Sequence, residues 1–278
     1  MSGAARSILI TGCSSGIGAH AARALSARGW RVIATCRTDS DRAALAADGL
    51  HAVLMDYADT ASIAAALDAT LQHTGGRLDA LFNNGAHALP GALEDLPTDG
   101  LRAIFEANLF GWHELTRRVI PVMRAQGAGR IVQNSSVLGI AALRWRGAYV
   151  ATKFALEGMS DVLRMELRDT GIDVVLIEPG PVSSRLRANA IAHFERWIDW
   201  RASPRAAQYQ GELLARLYED RGPDRFELPP DAVTRTLLRA LEARRPRPRY
   251  YVTLPAHVMA LGRRLLPWRV QDWILSRI

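Results

Sequence analysis

The sequence predicts a single α/β domain in which a mostly parallel, doubly wound seven-stranded sheet carries helices on both faces. Three observations predict it. Short β-branched runs alternate with longer helical patterns, the turn after the first run is rich in glycine, and 278 residues suffice for one sizeable core. Apolar residues make up 49% of the chain and charged residues 23%, a balance that excludes a disordered chain.

The candidate strands, in order, are Ser7 to Thr11, Arg31 to Thr35, Ala52 to Met55, Leu78 to Phe82, Arg130 to Asn134, Asp173 to Ile177 and Arg249 to Thr253. Helical periodicity between them covers 16–28, 60–74, 98–125, 148–169 and 230–244. Strands alternating with helices in this way call for right-handed crossovers and a parallel sheet. The alternation breaks over 183–229, which reads as an insertion above the sheet. The prolines of Arg244 to Arg249 end the last long helix, because each disfavours helical continuation before it. Residues 1–257 form the domain and 258–278 an amphipathic appendix, in which Val258, Leu261, Leu265, Leu266, Trp268, Trp273 and Ile274 accompany Arg263, Arg264, Arg269 and Arg277. Pro267 splits the appendix into two short helices. That suits a packed lid or a subunit contact better than a membrane anchor, and docking on an anionic membrane remains the second option.

Thr11-Gly-Cys-Ser-Ser-Gly-Ile-Gly18 follows the first strand and opens the first helix. Backbone N–H groups at a helix N-terminus favour an anion, and positions without Cβ let a pyrophosphate approach. Gly12, Ser14, Ser15, Gly16, Ile17 and Gly18 are therefore candidate dinucleotide contacts in a Rossmann-type domain. At the end of the second strand, where an acidic residue would take the ribose hydroxyls, stands Cys36 followed by Arg37. A guanidinium pairs with a 2′-phosphate, so NADP(H) is favoured over NAD(H), with an inward swing of Asp39 or Asp41 as the competing possibility.

Of 35 basic residues, Lys153 alone is a lysine, which asks for a chemical reason at that site. Tyr149 lies four residues before it, on the same helix face. Ser136 precedes Tyr149 by 13 residues at the end of the fifth strand, so strand end, loop and helix can converge above the carboxyl edge of the sheet. Reducing a carbonyl needs a hydride on carbon and a proton on oxygen, and a phenol of pKa about 10 is a poor acid–base partner near neutrality. An ammonium about 4 Å away, at an effective dielectric of about 20, favours phenolate by about 4 kcal/mol before desolvation. Tyr149 is thus the acid/base candidate, Lys153 its tuner and a ribose contact, and Ser136 the donor to the carbonyl oxygen.

The spacing Thr-Gly-x-x-x-Gly-x-Gly, joined to Tyr-x-x-x-Lys and the upstream serine, resembles the short-chain dehydrogenase/reductase family over nearly all of residues 7–182. The resemblance implies that Asn108 holds a water and extends a proton relay, and that Asp56 contacts adenine. It implies too that Asn84 touches the cofactor and that Pro179, Gly180 and Val182 form the turn over the nicotinamide. Asn83-Asn-Gly-Ala86 inverts the last two residues of the family's Asn-Asn-Ala-Gly, which leaves the backbone at Gly85 open. The whole chain is similar to bacterial NADP-dependent aldehyde reductases of the family and more distantly to steroid and retinol dehydrogenases. A homodimer or homotetramer is expected.

The expected pocket rim is apolar: 87–89, 137–145, and Phe194, Trp197, Trp200 and Tyr209 of the insertion, although ordinary packing explains each aromatic equally well. A small apolar carbonyl or alcohol is the expected substrate. Net charge is +7, but the arginines are spread along the chain, so a nucleic-acid partner is not expected. Two cysteines, Cys13 and Cys36, suggest no disulfide framework, no metal is called for, and no signal peptide or spanning run is evident, so a cytoplasmic location is expected. The rival of another class is a sensor or scaffold that binds NADP without turnover.

Overall fold

The computed structural model describes residues 5–219 and 222–277. Seven strands form one sheet: β1 (Ser7–Ile10), β2 (Arg31–Cys36), β3 (His51–Leu54), β4 (Ala80–Asn83), β5 (Gly129–Asn134), β6 (Ile172–Pro179) and β7 (Arg249–Val252). Their spatial order is β3-β2-β1-β4-β5-β6-β7, and every pairing is parallel, so the expected mostly parallel sheet is wholly so. Helices cover both faces, which is why β1 and β4 are buried at every residue and, apart from Ser7 and Asn83 at their ends, are apolar without alternation.

Helices α1 (Gly16–Ser26), α2 (Asp39–Ala47), α3 (Thr60–Thr74), α4 (Thr98–Phe105), α5 (Gly111–Gln126) and α6 (Gly147–Glu166) follow the first five strands. Ile8, Ile10 and Val132 pack towards α1 in one core cluster, while Leu9, Leu81 and Ile131 pack towards α3 and α5 in the other. Helix α2 escapes apolar periodicity because Leu45 is its one buried residue, and Thr38 caps it by accepting from the Asp41 N–H. The continuous helix expected over 98–125 is broken by a π turn, Glu106–Phe110. Such a turn inserts one residue per cycle and marks functional positions more often than chance.

The insertion holds α7 (Leu186–Trp197), then α8 (Ala206–Gln208) and α9 (Ala215–Tyr218) joined by a second π turn. A bridge between Val182 and Leu228 closes its base. Helix α10 (Asp231–Glu242) then leads into β7. The appendix begins at Leu254, earlier than expected, as α11 (Leu254–Leu265), and Pro267 separates it from α12 (Trp268–Leu275). Ala256 and Ala260 bury one face of α11, whereas α12 buries no residue. Packing on the chain's own domain therefore describes the inner face of α11 and, more loosely, the half-buried Ile274 and Leu275 of α12. Among the described residues no helix is long and apolar enough to cross a membrane.

Candidate active site

The strand order reverses between β1 and β4, and a crevice opens beyond their carboxyl ends. It is a cleft of about 240 Å³ bordered by Gly12, Ser14, Ser15, Gly16 and Ile17 at one end and by Ser136, Tyr149 and Lys153 at the other. Arg37, Asp56, Asn84, Pro179, Gly180 and Val182 border it as well. Of the expected contacts, Gly18 and Asn108 do not.

Gly18 has a different task. A Cβ there would lie 2.3 Å from the Gly12 carbonyl oxygen and 2.7 Å from Asn84 Nδ2, so its bareness lets α1 close onto the loop. Gly12, at φ +67°, would place a Cβ 2.5 Å from Gly85 Cα. The inverted Gly85-Ala86 pair thus sets a glycine against a glycine where the two loops touch. Thr11 pins that contact by accepting from the N–H of Asn84 at 2.8 Å and of Gly85 at 3.1 Å. Ser15, the N-cap of α1, is extended and its side chain caps nothing, which leaves first-turn N–H groups for an anion.

Arg37 is exposed beside this loop and pairs with no carboxylate among the described residues. The two aspartates that compete with it are occupied: Asp39 pairs with Arg42 at 2.6 Å, and Asp41 accepts from Thr38 Oγ1 at 2.7 Å. Asp56 caps its own turn by accepting from the Ala58 N–H at 3.0 Å while bordering the cleft.

At the other end, α6 presents Tyr149 and Lys153 as neighbouring turns of one face, both buried. Lys153 Nζ donates to the Asn134 carbonyl at 2.9 Å and lies 4.2 Å from the centre of the Trp112 ring. Burial pushes this lysine down to about 7, with Glu157 one turn on working against the shift. Burial pushes Tyr149 up to about 12, and the Ser136 hydroxyl and the Arg146 charge pull it back. The Ser136 hydroxyl is thus the first of the groups that hold the phenol back from a still higher value. Asn134, which borders the cleft, has a buried Oδ1 without a partner, while its Nδ2 donates to Asn84 Oδ1 at 2.8 Å.

Asn108 sits in the π turn, fully buried. Its Nδ2 donates to the His87 carbonyl at 2.8 Å and its Oδ1 accepts from the His87 N–H at 3.0 Å. Both amide atoms clasp the strand-end segment, and the side chain lies behind the residues that border the cleft. The π turn thus carries the amide that holds His87 in place beside the cleft.

The aromatic rim is corrected too. Phe194 and Tyr209 are buried in a cluster with Leu89, Ile104 and Tyr149, and Tyr209 OH donates to Asp95 at 2.8 Å. The cleft instead meets Leu186, Asn189 and His193 from α7, with Ala86, His87 and Ala107 opposite. His193 stacks on His87 at 3.8 Å. Burial, the neighbouring imidazole and Arg37 push His87 down to about 3, and burial and Arg37 lower His193, so this stacked pair favours its neutral form, while Arg185 borders the cleft beside Leu186. No sequence signal points to Asn189 or His193. Trp112, next to Gly111 in the helix after Asn108, carries none beyond being an apolar helix residue.

Comparison with known proteins bears on this arrangement. A family profile described as short chain dehydrogenase matches residues 6–194. The chain is 39% identical over 271 residues to the uncharacterized oxidoreductase YbbO of Escherichia coli K12, covering 98% of this chain and 94% of that one. It is 33% identical to rat 17-beta-hydroxysteroid dehydrogenase type 6, covering 97% and 87%. A short-chain dehydrogenase structure from Streptomyces avermitilis superposes with a TM-score of 0.80 at 30% identity, covering 98% of this chain and 96% of that one.

Proposed function

This chain belongs to the short chain dehydrogenase family, and on that premise we propose that it is an NADP(H)-dependent oxidoreductase reducing a largely apolar aldehyde or ketone, with Tyr149 as proton donor. The observation that carries the reading is the meeting, in one cleft, of a glycine cradle with Ser136, Tyr149 and Lys153.

The donor set suits a dinucleotide. The glycine cradle admits a pyrophosphate against the uncapped start of α1, Arg37 is free for a 2′-phosphate, and Asn134 Oδ1 offers a buried acceptor at the catalytic end. Asp56, Asn84, Pro179, Gly180 and Val182 border the rest of the groove. When bound, the reduced nicotinamide supplies the hydride that adds to the carbonyl carbon. Ser136 donates to the carbonyl oxygen, and the Tyr149 hydroxyl, protonated at neutral pH, transfers its proton to that oxygen. Lys153, held on the Asn134 carbonyl and titrating near neutrality, is placed to return a proton to Tyr149. Leu186 and the neutral histidine pair suit a largely apolar substrate body, beside the Arg185 cation that borders the same cleft.

A second reading, oxidation of a steroid- or retinol-type alcohol, is favoured by the likeness to 17-beta-hydroxysteroid dehydrogenase type 6 along 97% of the chain. One assay separates the readings: NADPH and NADH oxidation against aldehydes, ketones and sterols, and NADP reduction against the matching alcohols. Turnover of simple aldehydes or ketones with NADPH supports the first. Turnover confined to sterols or retinoids supports the second, and tight NADPH binding without any turnover would make the protein a sensor or scaffold.

A further inference from the structure

The exposed face of the C-terminal helices is unlike the rest of the surface. Leu254, Val258, Leu261 and Leu265 follow one another at spacings of four, three and four, which puts them on one stripe of α11, and each is between 56% and 69% exposed. Trp268 and Trp273 extend it along α12 at 70% and 58%, with Val270 and Leu266 alongside. The opposite face of α11 packs through Ala256 and Ala260, so the stripe is what remains after the helix has docked on its own domain. An apolar surface this continuous on a soluble chain marks an interaction face.

Charge selects the partner. Residues 254–277 hold Arg263, Arg264, Arg269 and Arg277 against the single acid Asp272. Arg263 turns inward, donating to the Ile140 carbonyl at 3.0 Å, and ties the tail to the loop after Ser136. Arg264 and Arg269 are exposed, Arg264 at the edge of a hollow with Glu157, Asp161 and Arg249, and Arg277 lies 3.9 Å over the Trp273 ring. A second copy of this chain would set like charge against like charge across the contact. An anionic bilayer instead takes arginines at its headgroups, indoles at its interface and leucines just below. The end of the tail reaches the catalytic flank, where Ser276 and Arg277 share a surface hollow with Leu143, Trp145 and Glu212.

We propose that α11 and α12 form an interfacial docking surface for an anionic lipid bilayer, with the leucine stripe and both tryptophans inserted and Arg264, Arg269 and Arg277 at the headgroups. This reverses the preference that helix length alone supports, because the structure leaves the apolar stripe facing solvent instead of buried.

The test is cosedimentation of the full chain with vesicles of phosphatidylcholine alone and of phosphatidylcholine mixed with phosphatidylserine, at low and high salt. Binding to the anionic vesicles, weakened by salt and absent from the neutral ones, is expected. The double variant Trp268→Ser/Trp273→Ser should lose about tenfold or more of that affinity with thermal midpoint and oligomeric mass unchanged. Arg269→Glu, at an exposed position, should lose about threefold or more, with thermal midpoint unchanged. Failure of the parent protein to bind anionic vesicles overturns the proposal. A change of oligomeric mass in the tryptophan variant also overturns it and assigns the face to a second copy. Because the readout is binding, the result does not depend on which substrate the cleft turns over.

Discussion

The two ends of the cleft are built by different means. At the nucleotide end the critical contacts are between backbones, Gly12 against Gly85 and Gly18 against the Gly12 carbonyl, and they come from seven consecutive residues plus one strand end. At the substrate end the wall is made of side chains from separate elements: His87 after β4, Ala107 in the π turn, and Leu186, Asn189 and His193 on α7. Helix α6 joins the ends, carrying Tyr149 and Lys153 on one face. A backbone approach tolerates one residue type, so it writes itself into the sequence, whereas a wall assembled from distant side chains tolerates many.

The sharpest break in this comparison comes at α6. Tyr149→Phe keeps the ring and removes the proton, so turnover should fall by about 10²–10⁴-fold while NADPH binding, measured by fluorescence titration, stays near the parent value. Turnover within a few-fold of the parent would remove Tyr149 from the proposed chemistry. Lys153→Arg should lose turnover as well, because the longer, bulkier fork cannot occupy the fully buried point at which the ammonium meets the Asn134 carbonyl, and it does not titrate near neutrality. On the nucleotide side, Gly18→Ala forces a methyl to within 2.3 Å of a carbonyl oxygen that flanking backbone holds in place. NADPH affinity should drop at least about tenfold and the thermal midpoint should fall with it, since overpacking a close contact costs about 1–3 kcal/mol. A variant with parental affinity and midpoint would mean that the loop has slack.

The same contrast accounts for what the sequence made legible. The strands, the glycine loop, Arg37 at the end of β2 and the Ser136, Tyr149 and Lys153 spacing were readable because each is a local pattern tied to a fixed backbone geometry. The π turn was not, since inserting one residue leaves the apolar periodicity on either side intact, and with it went the true environment of Asn108. The aromatics of the insertion were readable as large apolar residues but not as core. Whether Tyr209 faces a cleft or an interior depends on Asp95, more than a hundred positions away, accepting its hydroxyl. Helix α2 was missed for the opposite reason: it is held by a cap and by surface pairs rather than by a buried stripe.

Arg37 tests whether the nucleotide end distinguishes its ligands by one side chain. Arg37→Asp should weaken NADPH by about 10–100-fold and leave NADH unchanged or slightly improved, as expected for losing a charge-assisted contact to the 2′-phosphate. Equal losses for both nucleotides would assign the discrimination elsewhere in the groove.

The smallest effect concerns charge buried under the catalytic helix, a feature the glycine loop lacks. Behind Lys153 on α6, Arg249 bridges Glu157 at 3.0 Å, Asp161 at 2.8 Å and Glu178 at 3.1 Å. One guanidinium cannot neutralise three carboxylates. Asp161, although burial works against it, is held below its usual range by Arg249 and Arg164, while burial raises Glu157. Glu178, fully buried, is pushed up to about 8 by burial and by the charge of Glu157. A carboxyl whose pKa is higher in the folded chain than in the unfolded one holds its proton more tightly when folded. Its contribution to stability is therefore full below about 4.5, the ordinary carboxylate value, and is lost as pH rises through about 8. Glu178→Gln keeps the shape and an acceptor for Arg249 and removes the titration. The parent should lose thermal stability between pH 5 and pH 9 by more than the variant does, with the two curves converging at the acid end. Parallel curves across that range would show that Glu178 stays ionised in the folded protein and that Arg249 compensates it fully.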